Sequence, residues 1–338
     1  VSIEGSTTNN VTLGDGTADL NVTGSTTADI TLGDSVADIE LRDSTVGNVT
    51  TGDGSDNLLV TDAITGDISL GNDADTVNIV SNSVTGAVHL GDGDNVMLVS
   101  ATAEVGGDIT AGDGNDTLTL ESGSIFNDSI NLGDGDNTIT LTDYDAGGII
   151  LGDGNNTATF VDSIADGEVK IGDGQNDIYI ENFTITDDYD FFVGNPVFSP
   201  DSSAFIDINE SFYVGGKMTV ASADNDFIIN DGVTVDIGDH LNIWGGDNYV
   251  YFGDDSTVYV GGDLDITGDV NDLYFGQNSY IQVFDNFNIT ETASNTISIF
   301  EFILGPDQTM NVGAIDNTIE AASLIIDGAD NMIDFGIW

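Results

Sequence analysis

The residues in this chain best suited to chemistry are aspartates. Asp15, Asp34, Asp53, Asp92, Asp113, Asp134, Asp153 and Asp173 each follow the first glycine of a turn that recurs along the first half of the sequence. Copies of the turn begin at Gly14, Gly33, Gly52, Gly71, Gly91, Gly112, Gly133, Gly152 and Gly172. Successive starts are about 19 to 21 residues apart, a period that signals stacked units. In a regular parallel stack such carboxylates recur about every 4.8 Å. Like charges at that distance repel by roughly 1 kcal/mol per neighbouring pair even in bulk-water dielectric, and by several times that near a protein surface. A row built this way invites divalent cations, and carboxylates with backbone carbonyls are the ligands that Ca²⁺ prefers. The same aspartates also have a plain turn-forming use, capping backbone N–H groups beside obligatory glycines while solvent ions screen the charge.

The elements that would hold such a row are strands. Before each turn lies an apolar-x-apolar run such as Ile68-Ser69-Leu70 or Ile130-Asn131-Leu132, and after it another such as Leu118-Thr119-Leu120 or Ile139-Thr140-Leu141. Alternation with period two puts one face in and the other out. A coil of two strands and two turns predicts a flattened solenoid, whose single repeat cannot bury its face but whose stack can. The far edge carries a looser turn, as in Thr65-Gly66-Asp67 and Gly106-Gly107-Asp108, and its variable length accounts for the drift in period.

Gly112-Asp113-Gly114-Asn115-Asp116-Thr117-Leu118 and Gly52-Asp53-Gly54-Ser55-Asp56-Asn57-Leu58 carry a family resemblance. Over roughly the first 180 residues the motif resembles the glycine-rich calcium-binding repeat of the repeat-in-toxin (RTX) family, Gly-x-Gly-x-Asp-x-apolar. That family forms a secreted parallel β-roll. The resemblance implies that Asp56, Asp75 and Asp116 hold the calcium-ligand position, with Asn95, Asn137, Asn156 and Asn176 there in other copies. Asp73, Asp94 and Asp136, which share the same turns, complete the candidate metal set, and Ca²⁺ is the expected cofactor. Stacked asparagines also stabilise β-stacks by hydrogen bonds along the axis without any metal.

Composition supports this reading and excludes others. Of 338 residues 43 are Gly and 3 are Pro, and Thr, Val, Ile, Asn and Asp dominate, so strands and turns are expected almost throughout. The formal charge of −57 sets 60 acidic residues against Arg42, Lys170 and Lys217. Nucleic acid is an implausible partner for such a surface. The scattered basic residues, His89 and His240 set far apart, and the absence of cysteine leave no nucleophile-base set, so a non-enzymatic protein is expected. No apolar run approaches a transmembrane length, Val1-Ser2-Ile3-Glu4-Gly5 does not read as a signal peptide, and the start at valine suggests a processed or excised chain.

The period fails after Ile180, and residues 181–212 gather Phe183, Tyr189, Phe191, Phe192, Phe198 and Phe205 with Pro196 and Pro200. These aromatics either form a contact patch or cover the core where the cross-section changes. Over 213–338 a second ladder appears, with Val214-Gly215-Gly216, Ile237-Gly238-Asp239, Val260-Gly261-Gly262 and Val283-Phe284-Asp285 spaced about 23 residues apart. Coils of three short strands fit that length, and alternate aromatics fill a wider core or line an outer face.

The expectation is therefore an all-β, right-handed parallel β-solenoid. Residues 1–180 form its Gly-Asp-Gly ladder, 181–212 an interruption, and 213–338 a wider solenoid. The expected role is structural: an extracellular or cell-surface subunit, stabilised by Ca²⁺, that assembles into a filament, matrix fibre or surface layer. Its expected partners are copies of itself, meeting head to tail through apolar ends at Val1, Ile3, Ile337 and Trp338, with surface polysaccharide a further candidate. The alternative is an adhesin, or an ice- or carbohydrate-binding module, using a flat solenoid face.

Overall fold

The computed structural model describes residues 1–100, 102–122, 128–195, 201–304, 309–313, 316–326 and 332–336, with side chains through residue 290. Phe198, Pro196, Pro200, Ile337 and Trp338 lie outside the described residues. Among the described residues all regular structure is strand, and the strands pair in parallel, each with its equivalent in the next coil. The fold is a parallel β-solenoid. Contacts divide it into two compact units, Val1–Asp153 and Gly154–Trp338.

In the first unit the longest strands of successive coils stack as Ala18–Thr23, Ala37–Arg42, Asn57–Thr61, Thr76–Val80, Val96–Val99, Thr117–Leu120 and Thr138–Thr142. Leu20 pairs with Ile39, Ile39 with Leu58, and Leu118 with Ile139, so apolar types fall into columns. Leu20, Leu41, Val60, Leu118 and Leu141 are fully buried, while Asp38 and Asn57 between them are exposed. Each such side chain contributes about 1.5–3 kcal/mol of burial. A second column runs through Ile30–Thr31, Val49–Thr50, Ile68–Ser69, Val88–His89 and Ile109–Thr110.

The coil of this unit has a third side, where the two-strand reading has only a loose turn. Thr7–Thr8, Thr26–Thr27 and Thr45–Val46 pair as a separate sheet, as do Val84–Thr85 and Glu104–Val105. What holds this side is polar. Ser25 and Ser44 are buried, and their hydroxyls accept the backbone N–H groups of Ser6 and Ser25 at 3.2 and 3.1 Å while donating to Thr23 and Arg42 carbonyls. The corner before them needs a left-handed residue. Gly5 and Gly24 fill it in the early coils, and Asp43 and Asp62 do so later with φ of 48° and 49°, a region in which short polar side chains are the best-tolerated non-glycines.

In the second unit the period lengthens. Gln175–Ile180 pairs with Ser203–Ile208 across the 181–202 segment, and the strands from Asp224 to Phe252 find partners 23 residues on, until a bulge after Gly268 shifts Val270 onto Ser294. The aliphatic core gains aromatics: Phe160 stacks on Phe183 at 4.4 Å, Phe212 meets Phe191 edge-on at 5.5 Å, and Phe252 stacks on Phe275 at 4.9 Å. Of the aromatics between 181 and 212, Phe183, Phe191 and Phe212 are therefore core, whereas Tyr189 and Phe205 are exposed.

Candidate cation-binding edge

The Gly-Asp-Gly turns lie on one edge of the stack, where coils approach closely. Gly135 has a φ of 136°, and a Cβ there would sit 1.9 Å from the Gly114 carbonyl oxygen. Glycine is required by conformation and by the neighbouring coil together. The carboxylates this edge displays fall into three rows with different environments.

The outermost row is Asp15, Asp34, Asp53, Asp92, Asp113, Asp134 and Asp153, all exposed. Its carboxylates tie coil to coil. Asp15 Oδ1 accepts the Asp34 N–H at 3.3 Å, Asp34 Oδ1 that of Asp53 at 3.3 Å, Asp92 Oδ1 that of Asp113 at 3.1 Å, and Asp134 Oδ1 that of Asp153 at 2.8 Å. Asn72 stands in this row and donates both its backbone and side-chain N–H to Asp53. Asp173, in the second unit, turns back to accept the N–H of Gly174. The next row is also exposed: Asp94 Oδ1 accepts from Asn115 and Asn115 Oδ1 from Asp136, each at 2.8 Å, and Asp73 sits at a φ of 78°.

The third row is inside. Asp56, Asp75 and Asp116 are at most 1% exposed and share a column with the equally buried Asn95 and Asn137. Each Oδ1 accepts the N–H of its equivalent one coil earlier: Ala37 to Asp56 and Asp56 to Asp75 at 2.7 Å, then Asp75 to Asn95, Asn95 to Asp116 and Asp116 to Asn137 at 3.0 Å. The asparagines use their second atom as well. Asn95 Nδ2 donates to Gly93 and Gly91 carbonyls at 3.0 and 3.2 Å, and Asn137 Nδ2 to Gly133 at 2.9 Å. In Asp56, Asp75 and Asp116 the corresponding Oδ2 is buried and has no hydrogen-bond partner. Desolvation dominates their titration and pushes all three carboxyls up, Asp75 to about 7 and Asp116 to about 6, against the lowering effect of the Thr51 side chain at Asp56, the Asn95 side chain at Asp116 and the backbone N–H bond at each.

In the second unit Asn156 and Asn176 continue this motif, with Asn156 N–H donating to Asn176 Oδ1 at 3.2 Å. Further on the wiring changes to side chain on side chain, Asn225 Nδ2 to Asn248 Oδ1 at 2.8 Å and Asn248 Nδ2 to Asn271 Oδ1 at 2.7 Å.

The edge suits a hard cation in its donor chemistry. Exposed carboxylates, glycine carbonyls and three orphaned carboxylate oxygens are all oxygen ligands of the kind Ca²⁺ takes. Among the described residues no three carboxylate or imidazole groups gather at one point. An ion here would draw its carboxylates from neighbouring turns and complete its shell with carbonyls and water.

One row escapes a reading of the sequence alone. On the opposite edge Asp29 Oδ1 accepts from Asn48, Asn48 Oδ1 from Asp67, Asp67 Oδ1 from Ala87 and Asp108 Oδ1 from Ser129, each at 3.0 Å. The second unit repeats the device with Asp231 and Asp254. The signal lies in Gly47-Asn48, Gly66-Asp67 and Gly107-Asp108 at the same 19–21-residue spacing, but Asn48, Ala87 and Ser129 interrupt the aspartates and Ala28 stands in place of the glycine before Asp29. The rare cations are engaged locally, Arg42 with Glu40 and Lys170 with Glu168 at 2.7 Å. A scan against protein-family models finds no matching family, and searches of curated proteins and of solved structures find no match.

Proposed function

We propose that the chain is a non-catalytic structural protein of the cell surface or extracellular matrix, a solenoid that Ca²⁺ stiffens and that assembles with copies of itself into filaments, fibres or a layer. The observation that carries this reading is the outermost carboxylate row, from Asp15 to Asp153, repeated coil after coil on a narrow edge with no basic residue in the row. Such a row is self-repelling unless cations occupy it. Once it is neutralised, a coil with no neighbour on one side offers an unpaired parallel edge, and a coil from another copy fits there as well as one from the same chain. Heterologous contacts of this kind propagate and do not close.

The test is negative-stain electron microscopy of the purified chain in millimolar calcium and again after chelation. Filaments or sheets that form with calcium and disperse with chelator support the reading. Dispersed particles in both conditions overturn it.

A further inference from the structure

The outward face of the longest strands in the second unit carries an arrangement that the fold does not require. In register, Asp177 pairs with Phe205, Phe205 with Asp226, Asp226 with Tyr249 and Tyr249 with Asp272. The neighbouring outward column runs Tyr179, Asp207, Ile228, Tyr251, Tyr274 in the same coils. Apolar and acidic side chains therefore alternate along the first column and across four of these five strands, while Tyr251 beside Tyr249 adds a second ring in its coil. Tyr179, Phe205 and Tyr249 are 36–38% exposed, too open for core residues. The equivalent positions of the first unit, after the buried Asp/Asn column, hold Asn57, Thr76, Val96, Thr117 and Thr138. Threonine and asparagine fill four of these five positions, so a coil of this kind forms without an outward ring there.

The spacing of the rings suits one class of ligand. Following the apolar members from coil to coil gives Tyr179 on one column, Phe205 on the other, then Ile228, Tyr249 and Tyr274, a zigzag that returns to the same column every second coil. Two coils span about 9.6 Å. An extended β-1,4-linked glycan turns successive pyranoses over and repeats each disaccharide at a closely similar length, so one sugar falls on each coil. The apolar C–H face of a pyranose packs on an aromatic ring, and its equatorial hydroxyls point sideways. Beside Tyr179, Phe205, Ile228 and Tyr274 stands a carboxylate two residues away on the same strand, Asp177, Asp207, Asp226 and Asp272 respectively, able to accept those hydroxyl protons. No lysine or arginine occupies these outward positions, so the charge of the face repels polyanionic glycans and admits neutral ones.

We propose that the outward face formed by Tyr179, Phe205, Ile228, Tyr249 and Tyr274 is a binding platform for a neutral β-1,4-linked polysaccharide lying along the solenoid axis. Ring stacking supplies the affinity and the flanking aspartates set orientation. The platform uses neither the Gly-Asp-Gly edge nor contacts between copies, and so stands apart from calcium-driven assembly.

Affinity electrophoresis of the full chain in chelating buffer, through gels containing hydroxyethyl cellulose or alginate, tests this directly. Retardation by hydroxyethyl cellulose and free passage through alginate are expected. Phe205→Thr and Tyr249→Thr import the residue type of the first unit and should each weaken retardation by several-fold to about tenfold, with the thermal midpoint close to that of the parent. Free passage through hydroxyethyl cellulose, equal retardation by alginate, or a double variant that binds like the parent would each overturn the proposal. Binding lost together with a collapsed thermal midpoint in the threonine variants would overturn it too, because the rings would then be serving the fold.

Discussion

The backbone N–H of Asn95 donates to Asp116 Oδ1 at 3.0 Å, and the N–H of Asp116 donates in turn to Asn137 Oδ1 at the same distance. Asparagine and aspartate thus occupy one buried column with the same bond to the coil before. They differ in the second atom. Where the asparagine amide reaches glycine carbonyls of its own turn, the aspartate leaves Oδ2 without a partner. Asparagine is the residue that satisfies this site unaided, whereas aspartate needs a proton or a cation.

Asp75→Asn and Asp116→Asn should therefore stabilise the chain at neutral pH in chelator, by about 1–3 kcal/mol each, the cost of an unsatisfied buried polar group. Urea unfolding gives the answer. Loss of stability in both variants would mean that the carboxylate is paired in a way the buried Oδ2 does not reveal.

The same groups set a pH dependence. Asp75 titrates near 7 and Asp116 near 6 in the folded chain, against roughly 4 for an unfolded aspartate. Between those values the folded state binds more protons than the unfolded one, so the stability these groups supply is full below about pH 4 and falls as pH rises through the window. It levels off once each folded pKa is passed. The general repulsion of so acidic a chain acts in the same direction, so the informative quantity is the difference between the parent and the Asp75→Asn/Asp116→Asn double variant. In chelator the parent should lose more stability than the variant between about pH 5 and 7.5. Parallel curves would show that these carboxyls do not hold the extra protons.

The exposed row should respond to charge in the opposite sense from a set of attractive contacts. Asp134→Asn keeps the Oδ1 that accepts the Asp153 N–H, and together with Asp113→Asn it removes two like charges from the row. At low salt without calcium the double variant should unfold at a higher temperature than the parent, the relief being on the order of 1 kcal/mol per neighbouring pair. Adding calcium should raise the parent more than the variant. An equal rise in both, measured by calorimetry, would place the calcium effect elsewhere.

Much of this architecture is legible in the sequence because it depends on alternation. Leu20, Ile39 and Leu58 repeat in type and in period, and a column follows from that alone. The third side of the first unit is not legible because serine and threonine build it. Ser25 and Ser44 resemble turn residues until the pairing register places them inside, each hydroxyl bonded along the stack. The candidate site divides in the same way. Glycine and aspartate spacing shows that a row exists, but Asp53 and Asp56 look alike in sequence, and only the fold puts one in water and the other in the core. Tyr249 and Phe252 pose the corresponding problem in the second unit, three residues apart with one ring exposed and the other buried.

In the stacked coils the neighbouring turn constrains glycine at both positions, a Cβ at Gly33 falling 2.8 Å from the Asp15 backbone nitrogen, and the glycines of the first turn are the exception. An alanine at 135 would place Cβ against the Gly114 carbonyl at a φ favoured by glycine alone, whereas nothing lies within 4 Å of a Cβ built at Gly14. Gly135→Ala should cost on the order of 1–3 kcal/mol or more, and Gly14→Ala less than about 1 kcal/mol. Equal denaturation midpoints for the two variants would contradict the close approach of the coils.

The converse of the aspartate substitutions lies in the second unit. Asn248 accepts from Asn225 Nδ2 at 2.8 Å and donates to Asn271 Oδ1 at 2.7 Å and to the Thr267 carbonyl at 3.1 Å. Asn248→Asp keeps the accepting atom and removes both donated bonds, leaving a buried carboxylate facing two acceptors. Destabilisation of about 1–3 kcal/mol is expected at neutral pH, with recovery in acid as the new carboxyl regains a proton it can donate. Calcium separates this column from the Gly-Asp-Gly edge: if the ion restores Asn248→Asp at neutral pH as fully as acid does, any buried carboxylate in the column suffices to recruit it. Recovery in acid alone would confine the cation to the glycine-rich turns of the first unit.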